Sequence, residues 1–327
     1  MDDKFVGSFV SLIFCLIFYS TPIFSSDVQI AEEAQAKAVM GNVYEAYVKI
    51  IPYAYSSSNK LNSFKNKKDK EELLKNLTDL SQFFKHASHA EFFQRPGFKP
   101  SLEAITEHLD ETIMSVETDN YIFAQKRLNV IGALCVTCHS QLPESVSKNA
   151  FRNNIVKEKR ERFDSDFSYA NYLYLVRRFD EARTFFQKTI ETSLGKNNRY
   201  SNQEVLASLR KIVSIDTKIK FNYDSALSSI EGWEKDSRFS LNDKKMIHRW
   251  ATTLKEWKGF NPTGVKSLPD FIAKNLSPLD LKKEIIFTGE EDVSLLISSG
   301  VLYNFLVENP TSDLAPEILY WLSLVEH

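Results

Sequence analysis

Apolar residues in the first half of the chain return at helical intervals, and little interrupts them. In "VQIAEEAQAKAVMGNVYEAYVKIIPYAYS" the residues Val39, Val43, Tyr47 and Ile50 recur at i, i+4, i+8 and i+11, one face of a helix. The 327 residues include only 10 Gly and 10 Pro, against average usage of about 7% and 5%. A chain short of turn formers is committed to long helices and brief connections, so the expected fold class is all-α. At roughly 100–200 residues per domain the length accommodates about two domains. A hydrophobic content of 43% provides for a sizeable core. Lys and Arg total 41 against 43 Asp and Glu, so no bulk charge draws the chain to nucleic acid or to an anionic membrane.

Four amphipathic segments fill residues 27–150. A basic polar loop, "SSSNKLNSFKNKKDK", follows the first and reads as a solvated connection before it reads as a docking patch for an acidic partner. The second segment, "KEELLKNLTDLSQFFKHASHAEFF", is stopped by "RPGFKP". The third is expected to start at Ser101, as an N-cap with Glu103 in the first turn, and to run to about Glu117. After the break "ETDN", a fourth from about Asn120 carries Ile122, Leu128, Ile131 and Leu134 toward a cysteine pair, with Pro143 as its stop. Four helices with short loops predict an antiparallel four-helix bundle.

"NNIVKEKRER" is a charged connector, and beyond it the pattern changes. "YANYLYLVRRFDEARTFFQKTIE" reads as a helix, a tight turn and a second helix. Ala170 and Ala182 are the small residues of the two helices, Phe179 sits at the turn and Phe186 one turn beyond Ala182. Small residues let helices approach closely and aromatic ones fill the groove between them, so the hairpin resembles a tetratricopeptide repeat. "FNYDSALSSIEGW" is a weaker copy, with Tyr223, Ala226 and Ile230 in the places of Phe179, Ala182 and Phe186. "NDKKMIHRWATTLKEWKGF" adds a helix with Trp250 and Trp257 two turns apart. The aromatic stripes read as core, and His248 as a structural histidine. The final segment ends in an apolar helix, where a solenoid needs a polar cap. Residues 151–327 are therefore expected to form a tetratricopeptide-like helical domain, cut short at its C-terminus or packing that helix on another surface. No segment carries a catalytic constellation, and the chain is not expected to be an enzyme.

Ahead of the first helix lies "FVGSFVSLIFCLIFYSTPIFSS", closed by the small residues Ser25 and Ser26. It is short for a membrane span and reads as a signal peptide over residues 1–26, for export to the periplasm or its equivalent. The acidic opening "MDDK" leaves an uncleaved membrane anchor as the alternative. Cys15 lies inside this run, preceded by Phe14 where a lipoprotein site needs a small residue. Once the run is removed, Cys135 and Cys138 of "ALCVTCHSQLP" are the two cysteines left, and His139 follows them.

C-x-x-C-H is the attachment motif for c-type haem. On a helix, residues i and i+3 face the same way, so Cys135 and Cys138 can both bond one porphyrin edge and carry His139 onto the iron. Two other chemistries use the same atoms. A thioredoxin-like dithiol needs a strand before the pair, and none precedes it here. A zinc site could join Cys135 and Cys138 to His86 and His89, which share a helix face at i, i+3, in a tetrahedral Cys₂His₂ set. That set leaves His139 without a role, and His86 and His89 also read as solvent-facing residues beside a loop.

Four helices with C-x-x-C-H near the end of the last resemble the cytochrome c′ and cytochrome c-556 family over about residues 27–146. The resemblance implies one covalent haem c within the bundle, thioether bonds to Cys135 and Cys138, and His139 as proximal ligand. It also implies a distal residue on the first helix, a methionine in c-556-like members and an apolar blocker in cytochrome c′. Met40 falls there as the candidate sixth iron ligand, or as a flexible core filler; Met114 and His108 on the third helix suit the role less. The family often places a basic residue soon after the histidine, where this chain has "SQLPES". The expected function is electron transfer with a redox partner protein docked on the helical repeats. The alternative is haem-based gas binding or sensing, should the sixth position be open.

Overall fold

The computed structural model describes residues 26–54, 66–96, 98–140, 157–195, 200–260, 267–276, 293–309 and 311–325. Most of the apolar leader and of the basic loop, Pro143, and the first half of the charged connector lie outside the described residues. Among those described there are thirteen α-helices and no strand, so the fold is all-α.

The first five helices are α1 (Ser26–Ala54), α2 (Lys67–Ala87), the single turn α3 (Glu91–Gln94), α4 (Lys99–Glu117) and α5 (Tyr121–His139). Local chemistry sets the boundaries. The Asn66 side chain accepts from the Lys68 amide and opens α2. Pro100 lies in the first turn of α4, where a fixed φ and a missing N–H cost nothing. The helix therefore begins at Lys99, with Phe98 as its cap, and Ser101 is an internal residue rather than the expected N-cap. Asp119 makes the α4–α5 turn with φ of 60°, a conformation that Asp tolerates, and pairs with Lys70 of α2 at 2.5 Å. Helix α1 packs on α2, α2 on α4, α4 on α5 and α5 on α1, so four helices close on one core. Ile50, Ile51, Leu73, Leu77, Leu80, Leu109, Leu128 and Ile131 fill it without exposure. Ile122 was expected on that face but is 69% exposed. The buried stripe of α5 is Ala124, Leu128 and Ile131 instead, half a helix turn away.

Helices α6 (Asp166–Leu175) and α7 (Phe179–Leu194) form the next hairpin. Ala170, Phe179, Ala182 and Phe186 are all fully buried in it. Arg177 makes the turn with φ of 60°. Helix α8 (Asn202–Ser214) starts with a capping box between Ser201 and Glu204 and continues into a π turn, Ile215–Ile219. Then come α9 (Tyr223–Lys235), with Tyr223, Ala226 and Ile230 buried, α10 (Leu241–Glu256), α11 (Leu268–Asn275), α12 (Val293–Glu308) and α13 (Ala315–Val325). Helix α12 crosses the π turn at Gly300, where an added Cβ would meet the Lys218 carbonyl and the Phe221 ring, each at 3.1 Å. The apolar last helix packs on α12.

The two sets of helices meet where α5 packs on α6. Tyr44 of α1 and Tyr172 of α6 share a hydrogen bond of 2.8 Å, and the Glu158 amide donates to the Tyr172 oxygen at 3.0 Å. The described part of the connector is held rather than free: Arg160 binds Asp166 at 2.5 Å, and Arg162 reaches the Val48 carbonyl of α1 at 3.4 Å.

Candidate haem site

Cys135 extends the buried stripe of α5 by one further turn, from Ala124, Leu128 and Ile131. It is half-buried and packs against the core along with Leu134 and Val136. Cys138 follows three residues later on the same helix, and His139 is its last residue. The pair and the histidine thus occupy one helical end, the arrangement that thioether attachment plus proximal ligation demands.

Register across to α1 follows from one contact. The Gln125 side chain donates to the Tyr53 carbonyl at 2.8 Å. The helices run antiparallel and rise equally, about 1.5 Å per residue. Thirteen residues forward of Gln125 is Cys138, and thirteen back from Tyr53 is Met40, so Met40 lies level with the motif to within about a turn. Met40 and Val39 are half-buried and packed on the core, while Ile50 and Ile51 at the other end of α1 are completely enclosed.

His139 is fixed by a reciprocal arrangement of helix ends. Its Nδ1 bonds the carbonyl oxygen of Leu175, the last residue of α6. In return, the Arg177 guanidinium donates through Nη1 to the carbonyl oxygen of His139, the last residue of α5. Terminal carbonyls have no partner inside their own helix, so each helix has its end capped by a side chain associated with the other. A carbonyl only accepts, so Nδ1 carries the proton. Burial pushes the imidazole pKa down to about 4, the Leu175 bond opposes that shift and the Arg177 charge adds to it. His139 is therefore neutral at pH 7, with the lone pair on Nε2. A metal-binding histidine almost always donates its other ring N–H to a carbonyl, carboxylate or water, which sets tautomer and orientation. The donor set thus fits a c-type haem: a C-x-x-C pair along one helix, followed by a neutral imidazole whose Nε2 is available.

The other candidates have different surroundings. His86 and His89 are exposed, and His86 Nδ1 is engaged with the Gln82 carbonyl at 2.7 Å. Among the described residues, no three of His, Cys, Asp and Glu are grouped as a metal site. His108 bonds the Arg127 carbonyl through Nε2 at 2.8 Å, and burial lowers its pKa. Met114 is 57% exposed, near the α4–α5 turn and so at the far end of α5 from the motif. His248 pairs with Glu234 at 2.6 Å, tying α10 to α9. No described helix is long and apolar enough to cross a membrane. Leu175 and Arg177 are the participants that sequence reasoning passed over. Nothing in "LVRRFD" marks them, because their role comes from meeting a helix end some 36–38 residues earlier. No family model, curated protein or solved structure matches this chain.

Proposed function

We propose that the chain is an exported monohaem c-type cytochrome that transfers electrons. In this reading α1, α2, α4 and α5 form a cytochrome c′-like four-helix bundle, and the helices from α6 onward form a tetratricopeptide-like array that docks a redox partner protein. The observation that carries it is the last turn of α5: C-x-x-C-H on one helix, ending in an imidazole held as the Nδ1–H tautomer. When bound, a haem c would supply a one-electron iron couple. The chain's own parts are assigned as follows. Cys135 and Cys138 would hold the porphyrin edge. His139 presents Nε2 to the metal, and the Leu175 carbonyl keeps that nitrogen unprotonated. Met40, level with the motif on α1, would offer the iron a soft thioether, which suits an electron carrier.

Acid–acetone extraction of the denatured protein is the test. Covalent haem stays with the protein, and replacing Cys135 and Cys138 by Ala releases all of it. Colour that extracts from the unaltered protein, or zinc in its place by elemental analysis, would sink the proposal. A visible spectrum of the reduced protein with and without carbon monoxide then separates the two haem functions. A spectrum unmoved by the gas supports electron transfer, and ready binding transfers the assignment to gas binding or sensing.

A further inference from the structure

We infer that the α6–α7 turn belongs to the iron-ligand machinery: Arg177 is a positioning residue which, with the Leu175 carbonyl, sets how His139 is presented. The inference rests on the haem reading above and deepens it, because it assigns control of the proximal ligand to the C-terminal helices rather than to the motif alone.

Three observations carry it. The first is contact: Arg177 Nη1 binds the backbone oxygen of the very residue whose ring bonds Leu175, so His139 is gripped at both its backbone and its side chain by one turn. The second is conformation. Arg177 sits at φ of 60°, a region that Gly, Asn and Asp enter with little penalty and that Arg seldom enters. A turn alone would be served better by glycine, so the long cationic side chain sits there at a local cost. The third is burial. Arg177 is 8% exposed, and its guanidinium lies 5.2 Å from the centroid of the Phe179 ring. A desolvated charge acts on its neighbours far more strongly than one in water. Placed at the carbonyl end of the ligand, it makes His139 a weaker donor and favours the less positively charged, reduced state of a bound iron.

The test uses the full haem-loaded chain and three variants. Arg177→Gly removes the cation while favouring the same turn. Arg177→Asn does so with a second residue tolerant of positive φ, and serves if the glycine variant is not recovered. Arg177→Lys keeps the charge and loses the planar fork. Acid–acetone extraction is expected to leave haem on every variant. The midpoint potential of the Gly and Asn variants should shift downward and their reduced visible spectra should change, and Lys should recover most of the potential. Variants that carry haem with the potential and spectrum of the unaltered chain would overturn the inference and leave Arg177 a structural cap. An unaltered chain without covalent haem would instead sink the haem reading itself, so the two failures are distinguishable.

Discussion

Along the α6–α7 hairpin, Tyr172, Tyr174, Phe179 and Phe186 are enclosed to 1% exposure or less, ring against ring, with Tyr174 edge-on to Phe179 at 5.4 Å. Along α1 and α5 the packing is graded. Ile50, Ile51, Leu128 and Ile131 are sealed, whereas Val39, Met40, Leu134 and Cys135, toward the motif, keep part of their surface. The hairpin spends its aromatic residues on rigidity. Enclosure lessens along these two helices toward the turn that bears C-x-x-C-H. Tight packing marks the hairpin, and looser packing marks the turns of α1 and α5 nearest the motif.

The contrast can be broken first with Phe186→Ala. This side chain has no exposure and meets Phe167 at 6.1 Å and Tyr174 at 6.4 Å, so its loss should cost about 3–5 kcal/mol. Urea unfolding measures it; a cost below about 1 kcal/mol would mean that the hairpin is no more tightly built than the bundle.

Asp166→Asn probes the start of the hairpin. Burial alone would raise the Asp166 pKa, but bonds from Arg160 at 2.5 Å and Lys188 at 2.9 Å outweigh it and hold the carboxyl below the ordinary range. A folded-state pKa below the unfolded one adds stability above the unfolded value, near pH 4, which disappears as pH falls through the folded value. Removing the charge should cost about 2 kcal/mol at pH 7. It should also flatten the acid limb of a plot of stability against pH. An unchanged acid limb would show that the ion pairs contribute nothing.

The smallest expected change in stability sharpens the comparison at the looser end. Met40→Ala in haem-free protein should cost about 1 kcal/mol, below the range for a fully buried methionine, because the site is half-buried. In haem-loaded protein the same change should leave attachment intact, lower the midpoint potential and open the ferrous iron to carbon monoxide. A low-spin reduced spectrum that persists in Met40→Ala would assign the sixth position to another side chain.

What could be read from residues alone followed the range of the physics involved. The all-α class, the four long helices and the α6–α7 hairpin came from periodicity and from scarce turn formers, which act within a few residues. Ser101 misled because a cap-forming side chain counted for more than Pro100 beside it, whose fixed φ favours the first turn. Ile122 misled because an apolar residue near a helix start belongs to whichever face the later turns select, and Ala124, Leu128 and Ile131 select another. Cys135, Cys138 and His139 were visible as a local motif. Their surroundings were not, since the Leu175–His139 and Arg177–His139 bonds depend on how two helix ends dock, which no spacing encodes.

The crossed caps of α5 and α6 have a dynamic consequence. An ordinary helix end frays by itself, and its last amides exchange with solvent independently of the rest. Here the ends cannot fray separately, because releasing His139 from Leu175 frees the α6 terminus, and releasing Arg177 from His139 frees that of α5. The final turns of the two helices should therefore exchange their amide hydrogens as one unit, with a common opening free energy. That shared opening would tie the end of α5 that bears C-x-x-C-H to the helices from α6 onward.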